Sequence, residues 1–171
     1  MNSGFVRFLY APKTLREKWQ WWQERVEDCL ASCTSTTAHY GATGGGMSVG
    51  GGDAKDAKYA ALADLVDRRD RTAKEHDLAV DELELLLVRM TNADPRFGAR
   101  DAKVLRLRYI FDYEMTEILQ SFIDAGETPS LRTIYNWHSA ATLRAEEMWL
   151  KTKKETTEHE KVYARGKRAA D

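Results

Sequence analysis

Leu62, Arg69, His76, Leu83 and Met90 are spaced by seven, and Leu65, Thr72, Ala79 and Leu86 form the complementary series. Such a repeat keeps one narrow stripe of a helix against a partner helix. A strand cannot use it, because strand side chains alternate with period two. The chain must therefore hold a long helix, from about 53 to 90, that spans roughly 55 Å at about 1.5 Å per residue. The stripe is apolar at its ends and polar in the middle, where Arg69, Thr72 and His76 stand. Polar seam residues set register at some cost in stability. His76 reads as such a residue, with pH sensing as the alternative.

A partner is at hand upstream. Leu15, Trp19, Trp22, Val26, Cys29 and Cys33 alternate steps of four and three, a second seam on a helix from about 13 to 33. Thr14 and Glu17 have capping-box spacing at its start. Trp21 lies off the seam. The two cysteines fit as small seam residues; a metal pair would need two more ligands, and His39 alone is near. Between the helices runs TSTTAHYGATGGGMSVGGG, residues 34–52. It lacks the Lys-Ser/Thr of a phosphate loop, since Asp53 follows Gly52, and it reads as a connector. The shorter helix covers only part of the longer one. The remainder calls for the C-terminal part of the chain or for the same helix of a second subunit, a homodimer through residues 53–90.

Residues 1–11, with Phe5, Val6, Phe8, Leu9 and Tyr10, fit a short strand or an apolar arm that docks on the body. The three prolines, at 12, 95 and 129, suit helix starts and separations. Hydrophobic residues at 43% and charged residues at 31% favour a folded chain. No run is long and apolar enough for a membrane span, and Arg7 breaks the apolar start, so a cytoplasmic protein without a membrane partner is expected. The net charge is −1, unevenly spread. Residues 53–94 carry seven Lys/Arg against eleven Asp/Glu, and residues 95–171 fourteen against twelve. Between Arg96 and Arg108 five basic residues meet one acidic residue. That balance permits nucleic-acid binding by the C-terminal part.

Thr91 to Pro95 end the long helix and mark a domain boundary. The expected organisation is an N-terminal helical hairpin at 1–94, a DNA-binding domain at 95–150 and a polar tail at 151–171, an all-α chain. Within 95–150 three helices are legible: about 100–111, 114–122 with Met115, Ile118, Leu119 and Phe122 inward, and a third from Ser130, an N-cap preceded by Pro129. Residues 123–129 form the turn before it. On the third helix Ile134, Trp137, Ala141 and Met148 share one face, while Arg132, Thr133, Tyr135, Asn136 and Ser139 lie off it or flank it.

Val104-Leu105-Arg106-Leu107-Arg108-Tyr109-Ile110, then Glu117-Ile118-Leu119, then Ser130-Leu131-Arg132-Thr133-Ile134-Tyr135 resembles sigma region 4 and the sigma-like phage regulators of the ArpU and RinA type. Two features depart from that pattern: Leu119 stands where Ala is usual, and the turn is longer. The resemblance implies a helix-turn-helix that reads duplex DNA, a role in phage late-gene transcription, and contact with bacterial RNA polymerase.

The residues themselves suit that role. A recognition helix buries one face and offers polar or planar side chains near its N-terminus. Arg132 can pair with guanine edges and Asn136 with adenine edges; Thr133, Tyr135 and Ser139 can add contacts, and the Ser130 end favours a phosphate. Lys103, Arg106 and Arg144 are candidate phosphate neutralisers. Alternatively Arg108 or Arg132 pairs with Glu117 inside the domain, and His138 serves the core edge. Two other functions fit the same layout: a small terminase subunit that packages DNA, or a polymerase-binding module that never reads DNA. Nothing in the spacing of the four histidines or of the carboxylates suggests an enzyme, and no cofactor motif is present.

Overall fold

The computed structural model describes residues 1–35 and 51–168. Residues 36–50 of the Gly-rich connector, His39 among them, lie outside the described residues. The described chain is all-α: α1 Ser3–Ser35, α2 Gly51–Ala93, α3 Gly98–Tyr109, α4 Met115–Asp124 and α5 Leu131–Arg168. Among the described residues no helix is long and apolar enough to cross a membrane. The chain divides into two compact units, Thr14–Leu78 and Met1–Lys13 together with Ala79–Asp171.

In the unit Thr14–Leu78, α1 and α2 run antiparallel. Lys18 meets Glu75 at 3.9 Å and Arg69 donates to Gln23 at 3.3 Å, so residue numbers rise on one helix as they fall on the other. The seam residues turn inward on both: Val26 and Thr72 are buried, and Leu15, Trp19, Trp22, Leu62, Leu65 and His76 are half-buried. The Arg68 guanidinium sits 5.5 Å from the Trp22 ring. Thr72 spends its hydroxyl on the Arg68 carbonyl at 2.9 Å, which lets a polar residue occupy a dry seam. Cys29 and Cys33 are half-buried free thiols. Burial and the adjacent Cys33 push the Cys29 thiol above its usual pKa, so it stays protonated and packs as a small apolar group.

The other unit holds two apolar cores. The first gathers Val104, Ile118, Phe122 and Ile134 from α3, α4 and α5, with Leu107, Met115, Leu119 and Trp137 around it. The second joins Leu83, Leu86, Leu87 and Met90 of α2 to Leu105 and Tyr109 of α3, Ala141 and Ala145 of α5, and Phe5 and Leu9 of α1.

Several expectations are corrected here. Residues 1–11 form no strand; their apolar side chains dock on the core, but as the first turns of α1, which begins at Ser3, about three turns before the capping-box spacing at Thr14. Phe5 and Leu9 lie i, i+4 on one helical face and have no exposed surface, so burial extends the helix backward. Pro12 stands inside α1 rather than at its start, and its ring is itself buried. Asp94-Pro95 links α2 to α3 but does not divide the compact units, because the last turns of α2 belong to the same core as α3 and α5. The polar tail, expected to continue the third helix for a turn or two, carries α5 on to Arg168.

The α2–α3 link is tight. The Asp94 carboxylate accepts the backbone N–H groups of Arg96 at 3.0 Å and Phe97 at 3.1 Å. At Gly98 an added Cβ would lie 2.3 Å from the Met90 carbonyl oxygen, so only glycine fits where α3 crosses the end of α2. Asp112, between α3 and α4, takes a φ of 61° and is held by Lys13 at 2.9 Å.

Candidate nucleic-acid interface

α4 begins where the Glu114 N–H donates to the Glu117 carboxylate at 2.7 Å. It ends in a Schellman turn. Glu127 N–H donates to the Phe122 carbonyl at 3.0 Å and Gly126 N–H to the Ile123 carbonyl at 2.9 Å, with Gly126 at φ 84°. The connection expected at 123–129 is thus shorter at its start, because α4 runs on to Asp124. Residues 125–130 then lead to Ser130, whose Oγ accepts the Thr133 N–H at 3.1 Å.

From that cap α5 sorts its side chains cleanly. Ile134 and Ala141 are buried and the Trp137 ring meets Phe122 edge to face at 5.4 Å. Arg132, Tyr135, Asn136 and Ser139 are exposed on the other side, with Tyr135 at 52%. They fall at steps of three, one and three, a continuous stripe along the first turns. Leu143, 58% exposed, prolongs it and was not singled out in the sequence; its signal was the same periodicity carried one turn further. Ser130 and Thr133 play a different part from the other four. Their hydroxyls lie 2.8 Å apart and build the cap.

The three candidate phosphate neutralisers are all engaged within the fold. Arg106 grips Glu84 of α2 with two hydrogen bonds of 2.6 Å, which hold its pKa above the usual arginine value. Arg144 pairs with Asp101, a carboxylate with no exposed surface that also accepts from Arg100 at 3.0 Å. Lys103 lies 4.0 Å over the Phe122 ring and donates to the Ser121 carbonyl at 3.4 Å. Of the five cations from 96 to 108, Arg100, Arg106 and Arg108 pair with carboxylates, while Arg96 and Lys103 keep their charge over aromatic rings. Arg108 likewise finds Glu114, at 3.1 Å, rather than Glu117. Arg132 is exposed and has no ion-pair partner among the described residues.

His138 sits at the core edge, its Nε2 3.1 Å from the Tyr109 hydroxyl. Burial, then the nearby Arg108 charge, lowers its pKa. Burial, with Tyr10 beside it, pushes Tyr109 up to about 12. Both groups are therefore neutral near pH 7, and the tautomer of the imidazole sets which of them donates in this hydrogen bond.

Electrostatics restrict the approach of a polyanion. From Asp112 to Glu127 the chain carries five carboxylates and no Lys or Arg. Asp112 and Glu114 are paired, with Lys13 and Arg108, but Glu117, Asp124 and Glu127 have no ion-pair partner among the described residues. These unpaired carboxylates repel a phosphate backbone from α4. Among the described residues no cluster of His, Cys, Asp and Glu could hold a metal ion. Comparison of the chain with protein families, with characterised proteins and with solved structures finds no match.

Proposed function

We propose that the chain is a sequence-specific DNA-binding regulator of phage transcription, with α4 and α5 acting as a sigma region 4-like helix-turn-helix. The observation that carries this proposal is the α5 stripe of Arg132, Tyr135, Asn136 and Ser139. It is exposed at the N-terminal half of a helix whose opposite face is buried. An arginine and an asparagine one turn apart are the side chains that read guanine and adenine edges bidentately. Selection of bound duplexes from a random pool tests it: recovery of a consensus supports the proposal, and recovery of random sequence defeats it.

The acidic segment from Asp112 to Glu127 favours a second reading, a module that binds bacterial RNA polymerase rather than DNA. Unpaired carboxylates at α4 oppose the phosphate contacts that the first helix of such a pair ordinarily makes. Capture of purified polymerase without DNA, combined with a failed duplex selection, would favour that reading. A small terminase subunit would instead assemble as a ring of many copies.

A further inference from the structure

The heptad stripe at the C-terminal end of α2 is spent within the chain: Leu83, Leu86 and Met90, with Leu87 beside them, are buried against α3, α5 and the start of α1. The opposite face of the same segment is not. Leu85 is 55% and Val88 49% exposed, and Leu85 borders an open groove of about 370 Å³ floored by Phe8, Leu86 and Trp149. Exposed apolar side chains beside an apolar groove are what a helix–helix contact needs.

The charges on this face select the occupant. Asp81 lies four residues before Leu85 and Arg89 four residues after it, each roughly 6 Å along the axis at about 1.5 Å per residue. Both are exposed, and Asp81 has no ion-pair partner among the described residues. Arg89 is anchored through Thr152 of α5 at 2.8 Å, which leaves its charge on the rim of the groove. A two-fold axis passing by Leu85 sets Leu85 against its own copy. It also brings Asp81 opposite Arg89 of the second copy, twice. A face whose charges reverse sign about its apolar centre is self-complementary in the antiparallel sense that a two-fold interface requires.

We propose that the chain forms a homodimer through the Leu85 face of α2, antiparallel, with Asp81 and Arg89 of the two copies paired across the axis. The contact does not use the heptad stripe and does not rest on DNA binding, so it is tested without DNA.

Light scattering on the full chain over a dilution series down from about 50 µM, through the wild-type dissociation range, reads the outcome. The wild-type protein gives twice the 19.5 kDa chain mass. Asp81→Arg and Arg89→Asp, each placing like charges together at both symmetry-related positions, raise the dissociation constant roughly tenfold or more. The double variant D81R/R89D restores the dimer, and Leu85→Glu abolishes it. Circular dichroism shows that each variant keeps its helices. A wild-type monomer, a larger ring, or single charge reversals that leave the doubled mass unchanged would each overturn the proposal.

Discussion

Asp101 and Arg144 are 43 residues apart in sequence and form an ion pair at the heart of the C-terminal unit. The carboxylate is wholly buried, whereas the guanidinium is 39% exposed. The pair is therefore asymmetric: losing the cation strands a buried charge, while losing the carboxylate frees cations that reach water. Arg144→Ala should cost about 3 kcal/mol, the low end for a broken buried pair, because Arg100 remains beside Asp101. Asp101→Asn should cost less, about 1–2 kcal/mol. Urea denaturation of both variants checks the order; the reverse order would show that the pair does not hold α3 to α5.

The first residues of the chain are structural. Phe5 has no exposed surface and meets Trp149 at 5.7 Å between ring centroids. Phe5→Ala should destabilise the protein by roughly 3–5 kcal/mol. Arg7→Ala, at an exposed side chain in the same turns of α1, should change stability by less than about 0.5 kcal/mol. Thermal unfolding of the two variants tells a docked helix from a loose arm.

His138 makes stability pH-dependent. Its folded pKa lies below the usual histidine value, so the folded state resists the proton that the unfolded chain accepts. The stabilisation is present above the unfolded pKa of about 6.5 and is lost as pH falls through the lowered folded value. Urea midpoints should therefore decline from pH 7.5 to pH 5.5. His138→Gln, whose amide can either donate to or accept from the Tyr109 hydroxyl, should flatten part of that decline. An unchanged slope would exclude His138 as its source.

DNA binding, if it follows the proposed mode, separates the exposed stripe from the internal cations. Arg132→Ala and Asn136→Ala should each weaken binding to a selected site by roughly 1–3 kcal/mol with stability unchanged. Arg106→Ala, which breaks the pair with Glu84, should lower stability and leave the intrinsic affinity of the folded fraction unchanged. Fluorescence-anisotropy titrations paired with melting curves check the split. Unchanged affinity in both stripe variants would remove α5 from the interface.

Local periodicity carried most of the secondary structure. The step pattern of Leu15 to Cys33 and the sevenfold spacing of Leu62 to Met90 state helices and inward faces directly, because helix geometry turns sequence spacing into direction. The face of α5 was legible for the same reason: Ile134, Trp137 and Ala141 had to turn one way and Arg132, Asn136 and Ser139 the other. The Ser130 cap was also a local signal. Start and end points were less legible. Phe5 and Leu9 gave only a short apolar pattern, whose helical reading depended on a core that other segments supply.

The sequence by itself determined that the chain is helical and which side of each helix seeks cover, since both follow from spacing along one strand of covalent chain. Tertiary structure alone decided which charges stay free. Arg106 and Arg144 looked like surface cations until Glu84, from 22 residues away, and the buried Asp101, from 43, claimed them. It also decided that the end of the heptad stripe closes an intramolecular core, leaving Leu85 and Val88 outward. Pairings of this kind depend on distance in space, and a linear pattern carries no measure of that distance.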